Sequence, residues 1–380
     1  MLRFLSAGES HGPALSAIIE GLPAGLAVDP AAIDADLRRR QSGYGRGGRQ
    51  QIERDTVQIL SGLAGGATIG APLALLVANR DWENWRDRAV PAWTRPRPGH
   101  ADLAGAAKYA LDDLRLVAER ASARETAIRV AVGAVAKALL ATVGVAVGSY
   151  VEAIGGAAAD PAALEALPVG ERLARALASD VACPDEGAAA AMRAGIDAAR
   201  EAGDSLGGVI VALAEGVPVG LGSHAHWDRR LDARLAAAAM GVQAVKGVEI
   251  GPAFANAALP GTQVHDALYW APAQPGVPGR PVRRSNRAGG IEGGISNGET
   301  IVLRAAMKPI PTTVTPQPTV DLATGEEAAT QYQRSDVCAV PAAAVVVEAM
   351  VAWVLAEALL ERYGGDDLGT LQRRVADDRR

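Results

Sequence analysis

Apolar positions along the chain repeat with two periods, one typical of strands and the other of helices. Leu2 to Leu5 and the pair Ile18 and Ile19 predict two strands joined by a turn, and Gly21 ends the second strand. By the same criteria we predict further strands at 51–60, 144–151, 209–214, 243–251 and 300–305. The pattern therefore indicates a chain in which strands and helices are mixed.

Capping residues mark the starts of several predicted helices. Asp29 followed by Pro30 predicts a helix whose last turn carries Arg38 to Arg40, where cations complement the helix dipole. Ser122 and Glu125 form the S-x-x-E capping pattern, which predicts a helix beginning at Ser122. The side chain of Ser122 would cap the unpaired N–H groups at this helix start, and these groups could also hold a phosphate. Other helices are predicted over 103–117, within the alanine-rich stretch 155–203, after a cap at Asp228, and from about 342 to 363.

Composition favours a globular protein of a reducing compartment. The 380 residues are 49% apolar with only 2 Phe, so we expect a core of Ala, Val, Leu and Ile. No signal peptide is expected, because a strand begins at once. The apolar stretch from Ala339 to Leu360 contains Glu348 and Glu357, which favours a soluble helix over a membrane span. Cys183 and Cys338 lack metal-binding spacing, and a cytoplasmic location is expected.

The distribution of charge favours a small anionic ligand. The formal net charge is −5, which argues against a general nucleic-acid binder, because such proteins need a broad positive surface. Arginines are nonetheless clustered at 38–49, 95–97 and 280–287. Local basic clusters in a mildly acidic chain suit small anions, although for any single arginine a solvated surface residue is the preferred explanation.

Two glycine-rich segments allow a ligand to approach the backbone. Residues 43–48 satisfy the dinucleotide-binding pattern G-x-G-x-x-G, but a helix precedes them, a strand follows them, and 65–70 contains no acid. A flexible, arginine-bearing loop that folds over an anion explains this segment better. The glycines of 289–298 suit close contact with a planar ligand, although a tight strand crossing would need glycine too.

Two histidines lie in loops from which a ring could reach a ligand. His11 lies in the turn Gly8–Gly12, where a merely solvated ring is the alternative explanation. His100 ends the long loop 79–100, and long loops in compact domains are often functional lids. The H-x-H pair at 224–226 has the spacing of two metal ligands, but no third ligand follows at a diagnostic offset, so a metal site is not expected.

Taken in order, these segments resemble the chorismate synthase family. The segments that carry the resemblance are Gly8–Gly12, Arg40 with Gly43–Gly48, Arg97–Asp102, Arg120–Thr126, Gly289–Gly294, Lys308–Thr312 and Arg334–Asp336. Each motif is modest by itself, but seven in this order are specific, and they extend over nearly the whole chain. Ala121 departs from the family pattern, in which many members have a second serine beside Ser122, and this concerns one hydroxyl contact.

The resemblance implies an α+β fold, with a single large domain built as a β-α-α-β sandwich with internal pseudo-symmetry. The catalytic domain would span 1–365, and 366–380 would form a polar, flexible tail. The resemblance also implies a homotetramer and a shikimate-pathway lyase. The substrate 5-enolpyruvylshikimate 3-phosphate would lose phosphate and a ring proton by 1,4-anti elimination, giving chorismate with reduced FMN as cofactor and no net redox change.

The resemblance also assigns binding residues. Those matched to reduced FMN are Arg120, Ala121, Ser122, Gln243, Ala244, Gly293, Lys308, Pro309, Ile310, Pro311, Thr312 and Arg334. Arg40 and Arg46 match positions associated with the anionic substrate, and with NADP in members that reduce their own flavin, while Arg124 is a further candidate for the substrate anions. NADPH would be required only for self-reduction, which we do not expect because the sequence has no separate flavin reductase region. An external flavin reductase is then a candidate partner, whereas nucleic acid and membrane are not.

The implied reaction suggests roles for three polar residues. Phosphate leaves more readily when protonated, and its second pKa of about 6 is well matched by an imidazole with an unperturbed pKa of about 6.5. The hypothesis is that His11 serves the departing phosphate, His100 maintains the protonation state of reduced flavin, and Asp336 assists flavin N5 in removing the ring proton. Two alternatives stay open, a non-catalytic flavin- or nucleotide-binding protein and a histidine-dependent phosphatase.

Overall fold

The computed structural model describes residues 1–47, 54–84, 86–88, 90–273, 279–333 and 335–378. Its strands are β1 (Arg3–Gly8), β2 (Ala14–Glu20), β3 (Val57–Ser61), β4 (Leu63–Ala64), β5 (Ala67–Thr68), β6 (Leu73–Ala78), β7 (Ala146–Ile154), β8 (Ala157–Ala158), β9 (Gly208–Glu215), β10 (Val245–Ile250), β11 (Leu268–Ala271), β12 (Arg280–Arg283), β13 (Ile291–Glu292), β14 (Ile295–Ser296), β15 (Ile301–Met307), β16 (Pro318–Asp321) and β17 (Glu326–Ala329). Its helices are α1 (Pro30–Gln41), α2 (Asp102–Tyr109), α3 (Leu114–Ala121), α4 (Thr126–Ala141), α5 (Pro161–Glu165), α6 (Val169–Ala178), α7 (Glu186–Glu201), α8 (Leu231–Met240), α9 (Ala253–Ala257), α10 (Gly261–Val264), α11 (Val340–Tyr363) and α12 (Leu368–Asp378).

The longer strands form two antiparallel sheets that share one internal order. Among the described residues, the first sheet has the order β1-β2-β6-β3, and the second has the order β7-β9-β15-β10 with β8 beside β7. In each half of the chain two of these strands precede a helix (α1 or α8), and two more precede a second helix (α4 or α11). The two halves repeat one topology, which confirms the predicted pseudo-symmetry.

The helices lie between the two sheets and supply the core. Helix α4 packs on β2 and β6, and α11 packs on β7 and β9. The two helices approach closely at Gly133, where an added Cβ would lie only 2.3 Å from the Cβ of Ala349. Phe4 of β1 meets Trp353 of α11 edge to face, with ring centroids 4.8 Å apart. The layers therefore run sheet, helix, helix, sheet, and the predicted α+β sandwich is confirmed.

Helix α11 is the most apolar helix of the core. By length and composition alone it could cross a membrane, but 94% of its most apolar window is buried inside the protein. Glu348, only 1% exposed, lies within it and accepts hydrogen bonds from Arg39, Lys137 and Ser149 at 2.7–2.9 Å. The apolar stretch is thus a core helix with a buried ion cluster.

Two predicted helix boundaries are wrong. The helix expected over 103–117 is interrupted, because Ala110 takes a left-handed φ of 53° that ends α2, and the side chain of Asp113 caps α3. Asp228 was expected to cap the next helix, but its carboxylate lies 2.7 Å from Nδ1 of His226. Helix α8 begins at Leu231, and Arg230 occupies the capping position. Apolar periodicity continues across both breaks, so it could not reveal them.

The capping pattern at Ser122 marks a helix start that is displaced along the chain. The Ser122 Oγ accepts a 3.4 Å hydrogen bond from the N–H of Arg124 and begins a 3₁₀ turn. The α-helix itself starts at Thr126. Glu125 pairs with Arg129 one helical turn further along and with Gln243 from a distant segment, and these contacts take the place of the expected capping box.

The C-terminal tail and two further segments contain more regular structure than expected. The segment 366–380 was predicted to be a flexible tail, but most of it forms α12, in which Leu371 and Val375 are buried. These residues are one helical turn apart, a period that their charged neighbours obscure. Hairpins β11–β12 and β16–β17 lie in segments for which no strand was predicted. Of the strand predicted over 51–60, residues 51–53 lie outside the described part, and the strand itself, β3, begins only at Val57.

Candidate active site

Most of the predicted site residues meet at a cavity of about 550 Å³. Its wall is formed by the turn after β1, the end of α1, the loop before α2, the turn between α3 and α4, and the first turns of α11. The predicted residues that line it are His11, Arg40, Arg46, His100, Ala121, Ser122, Arg124, Gln243, Ala244, Lys308, Ile310, Pro311, Thr312 and Asp336. Because they are spread over the whole chain, tertiary structure brings them together.

The turn that carries His11 is fixed by two side chains from elsewhere. Oε2 of Glu119 accepts the backbone N–H of His11 at 2.7 Å, and Oε1 lies 2.9 Å from the ring Nδ1. The amide of Asn79 donates to the carbonyls of Glu9 and Gly12 at 3.0 and 2.7 Å. Because Nδ1 contacts the carboxylate, a ligand in the cavity would be served by Nε2. The turn therefore holds an imidazole in one orientation.

His100 shows the same pairing in a more enclosed place. Its Nδ1 lies 2.5 Å from Oδ1 of Asp102, which is 1% exposed. Arg97 donates to both carboxylate oxygens at 2.8 and 2.9 Å. Burial would raise the pKa of Asp102, but hydrogen bonds from His100 and Arg97 outweigh it and hold that pKa well below its usual range. Asp102 is therefore ionised and accepts Nδ1–H, so Nε2 of His100 is the nitrogen that can serve the cavity.

The loop before α2 is anchored on two sides. Lys308 Nζ donates to the carbonyl of Gly99 at 2.6 Å, and burial, with the charge of Lys246 second, lowers the pKa of Lys308. Arg95 lies 3.0 Å from Asp321 of hairpin β16–β17. These contacts hold the His100 segment against the cavity.

Arg40 and Arg124 share one buried carboxylate. Arg124 Nη1 donates to both oxygens of Asp55 at 2.7 Å, and Arg40 Nη1 lies 3.7 Å from the same group. Arg40 also donates to Thr126 Oγ1 at 2.9 Å. Burial lowers the pKa of Arg40 to about 10 against the charge of Asp55, and the charge of Arg124 adds to this lowering. With this pKa Arg40 stays protonated at neutral pH, and two arginines that face one carboxylate leave an excess of positive charge that suits an anion.

Arg46 and Asp336 form a second charged group of the wall. Arg46 Nη1 lies 2.5 Å from Oδ2 of Asp336, and the N–H of Gly47 donates to Oδ1 at 2.7 Å. Arg46 Nε is buried and has no hydrogen-bond partner among the described residues. A buried donor without a partner is costly, so an anionic ligand in the cavity would satisfy it.

The segments matched to FMN adjoin one another. Lys308 N–H donates to the carbonyl of Ala244 at 2.9 Å, and Ala244 has a left-handed φ of 67°. Gln243 Nε2 donates to Glu125 at 2.5 Å, while its buried Oε1 has no partner within the described part of the chain. An unpaired acceptor beside these segments fits a flavin mononucleotide, whose ring system carries N–H donors.

Gly293 was matched to FMN, but it lies away from the cavity of its own chain. The adjoining Gly294 accepts from the N–H of Leu231 at 2.9 Å, which places it at the start of α8. Gln243 follows the other end of this 10-residue helix, and such a helix is about 15 Å long. The glycine match therefore did not identify a cavity residue.

Among the described residues, two other matched positions do not line the cavity, and a third matched position lies outside the described residues. Arg120 turns towards β1 and donates to the carbonyl of Gly8 at 2.8 Å. Pro309 lies between Lys308 and Ile310, which line the cavity, but is itself directed elsewhere. Arg334 lies outside the described residues.

Sequence reasoning missed the residues that support the site. Glu119, Asn79 and Asp55 hold the predicted histidine and arginines, yet none was singled out. Glu119 adjoins the matched segment 120–126, a position that gave a weak signal. Asn79 and Asp55 follow no motif, because their partners are 14 to 70 residues away along the chain.

The chain is similar to known proteins over its whole length. The family model for chorismate synthase matches residues 2–360. The chorismate synthase of Moorella thermoacetica is 56% identical over 384 residues, covering 99% of this chain and 98% of the relative. That of Geobacter sulfurreducens is 56% identical over 384 residues, covering 98% and 97%. A crystal structure of chorismate synthase matches with a TM-score of 0.81 at 43% identity, covering 99% of this chain and 96% of that chain.

Proposed function

The chain belongs to the chorismate synthase family, and from this premise we propose that it converts 5-enolpyruvylshikimate 3-phosphate to chorismate by 1,4-anti elimination. The C–O bond to phosphate and one ring C–H bond break, and a new C=C bond forms, so the products are chorismate and inorganic phosphate. The enzyme is then a carbon–oxygen lyase of aromatic amino-acid biosynthesis, and residues 1–365 act as one catalytic domain.

One observation carries the proposal, the convergence of two histidines, three arginines and an aspartate on one cavity. The substrate carries a phosphate and two carboxylates, and such anions need charge-assisted partners once they leave water. Arg40, Arg46 and Arg124 supply that charge. His11 serves as the proton donor to the departing phosphate, through the Nε2 that its turn directs away from Glu119.

We propose reduced FMN as cofactor, held by the wall around Ala121, Ser122, Gln243, Ala244 and the segment 308–312. When bound, it would supply the electron chemistry of the elimination and would be regenerated without net redox change. The Nε2 of His100 would take up or release a proton beside the cofactor, since Asp102 engages Nδ1 and leaves Nε2 as the nitrogen that faces the cavity. Asp336 would assist removal of the ring proton.

Further parts of the proposal concern supply and assembly. NADPH would be used only if the enzyme reduces its own flavin at Arg40 and Arg46, and otherwise an external flavin reductase is the partner. The protein is proposed to be a cytoplasmic homotetramer. Two free, buried cysteines, Cys183 and Cys338, fit a reducing compartment.

An anaerobic assay of the pure protein with 5-enolpyruvylshikimate 3-phosphate tests the proposal. Chorismate and phosphate should appear in equal amounts with reduced FMN, and neither should appear without it. A histidine-dependent phosphatase would release phosphate without flavin, and a flavin-binding protein without catalytic function would bind FMN and form no product. Either result would overturn the proposed function.

Replacement of Asp336 with Asn should slow loss of the ring proton. The amide cannot accept a proton and weakens the pairing with Arg46, so we expect a fall in kcat of about 10²-fold, at the lower end of acid–base contributions. Substrate that carries deuterium in place of the ring hydrogen that is removed should show a larger kinetic isotope effect in the variant. Asp232→Asn, which removes an equivalent Arg–Asp pair beside Arg230, should leave kcat unchanged. Unchanged turnover and isotope effect in Asp336→Asn would remove Asp336 from proton transfer.

A further inference from the structure

Asn79 lies between the turn of His11 and the arginines of the cavity. It follows β6 directly, is 4% exposed, and its backbone N–H donates to the carbonyl of Pro13 at 2.9 Å. Its side chain crosses to the turn Glu9–Gly12 on one side and to Arg124 on the other. Because this amide is buried, each hydrogen bond that it fails to make would leave a neighbouring polar group without a partner.

The orientation of the Asn79 amide is determined by its neighbours. Nδ2 faces two carbonyl oxygens, those of Glu9 and Gly12, at 3.0 and 2.7 Å. Oδ1 accepts from Nε of Arg124 at 2.8 Å. Carbonyls only accept and guanidinium only donates, so the amide fits in a single orientation. The two carbonyls flank His11, and the amide therefore ties both ends of the histidine turn to the arginine.

The contacts continue from Arg124 to the second arginine. Arg124 donates to Asp55, whose side chain is fully buried and whose carboxylate lies 3.7 Å from Arg40. The backbone N–H of Asp55 donates to Gln41 at the end of α1, the helix that carries Arg40. One path of polar contacts thus runs from the turn of His11 through Asn79, Arg124 and Asp55 to Arg40.

We propose that Asn79 and Asp55 are positioning residues that set the placement of His11 relative to Arg40 and Arg124. This inference rests on the proposed function, in which His11 protonates a phosphate that the arginines hold. Proton transfer requires the donor within hydrogen-bond reach of the leaving oxygen, and a misplacement of about 1 Å can cost about 10²-fold in rate. Asn79 fixes the histidine side of this geometry, and Asp55 fixes the arginine side.

Asn79→Asp separates the two sides of the network. The carboxylate keeps an acceptor for Arg124 but has no donor for the carbonyls of Glu9 and Gly12, which it repels. The turn of His11 should therefore shift while Arg124 stays in place. We expect kcat to fall about 10²-fold, with KM for 5-enolpyruvylshikimate 3-phosphate within about threefold of wild type, since the arginine contacts remain.

Asp55→Asn should affect KM more than kcat, the reverse of Asn79→Asp. Without the buried charge, Arg124 and Arg40 repel each other and lose their common acceptor, so substrate anions bind less well. We expect KM and the calorimetric Kd for the substrate to rise about tenfold, which corresponds to about 1.4 kcal/mol. The fall in kcat should be smaller than in Asn79→Asp, because Asn79 still holds the His11 turn.

Asn256→Asp is a matched control. Asn256 also bridges a carbonyl and an arginine, donating to the carbonyl of Arg287 at 2.9 Å and accepting from its Nη1 at 3.0 Å, but away from the cavity. This variant should leave kcat and KM at wild-type values. Melting temperatures of all three variants show whether any of them has lost its fold.

A histidine NMR spectrum of the flavin-free protein tests the inference without turnover. The chain has 5 His, and His11→Gln identifies the ring signals of His11. Asn79→Asp should move or broaden these signals, whereas Asn256→Asp should not. If wild type makes no chorismate, the proposed function fails but this readout still applies. Unchanged His11 signals with kcat within twofold of wild type in Asn79→Asp, or equal changes of kcat and KM in both Asn79→Asp and Asp55→Asn, would overturn the inference.

Discussion

His11→Ala should lower kcat by about 10²–10⁴-fold, the usual contribution of a positioned acid or base. The variant removes the imidazole that the turn Gly8–Gly12 carries and that Glu119 orients towards the cavity. The departing phosphate would then leave without a proton from the protein. FMN affinity should be nearly unchanged, because the residues matched to FMN belong to other segments. Stopped assays of chorismate formation and a fluorescence titration with FMN measure the two quantities.

His226→Ala is the matched control for this experiment. Its ring Nδ1 also contacts a carboxylate, that of Asp228 at 2.7 Å, but the side chain is 62% exposed and lies away from the cavity. Loss of this histidine should leave turnover at the wild-type value. A His11→Ala enzyme with full activity would remove His11 from the mechanism, and an inactive variant that no longer binds FMN would indicate a structural role instead.

Local sequence signals predicted much of the fold. Asp29 and Pro30 start α1 where expected, and the side chain of Asp29 accepts the N–H of Ala31 at 2.9 Å. The apolar run before Gly364 forms α11, and the first two strands pair as predicted. These features depend on residues that are close to one another in sequence, and the pattern of apolar and capping residues therefore predicts them.

The sandwich itself was expected from the family resemblance, because no local pattern specifies it. Gly133 meets Ala349 across the central helix pair, and residues so distant in sequence leave no periodic signal. The break at Ala110 was missed for a related reason, since its left-handed conformation interrupts an apolar pattern that continues past it. The C-terminal helix has only Leu371 and Val375 buried, too few to stand out from its charges.

For the site, the chemically distinctive residues were predictable and their supports were not. His11, His100, Arg40 and Asp336 belong to motifs whose order identified the family. Asn79 serves the same cavity with an ordinary amide, and its importance depends on two carbonyls and one guanidinium that tertiary structure places around it. Gly293 is the opposite case, because it belongs to a matched motif and yet does not line the cavity of its own chain.

The ion cluster around Glu348 of α11 should contribute measurably to the stability of the fold. Glu348 accepts from Arg39 and Lys137, and Asp36 contacts the same two cations at 2.9 and 2.5 Å. Burial would raise the pKa of Glu348, but the hydrogen bond from Arg39 and the charge of Lys137 outweigh it and lower that pKa to about 2. The folded state therefore stabilises the ionised form of this carboxylate.

Glu348→Gln should lower the free energy of unfolding at pH 7 by about 3 kcal/mol, because it removes a buried carboxylate from two partly buried cations and leaves them Asp36 as the remaining carboxylate. The pKa gives a similar size: a fall from 4.5 to about 2, at about 1.4 kcal/mol for each pH unit, is on the order of 3 kcal/mol. Guanidinium chloride unfolding at fixed protein concentration measures the difference. Glu171→Gln, which breaks an exposed pair with Arg175, should cost about 0.5 kcal/mol or less.

The difference between wild type and Glu348→Gln should also depend on pH in one direction. A carboxylate whose pKa is lowered by folding contributes its full stability above its unfolded pKa, near 4.5 for Glu348, and loses it as the pH falls towards the folded value. The difference should therefore be constant from pH 7 to about 5 and shrink steadily between about 4.5 and 2. A difference that grows on acidification, or one no larger than that of Glu171→Gln at pH 7, would mean that Arg39 and Lys137 do not depend on the charge of Glu348.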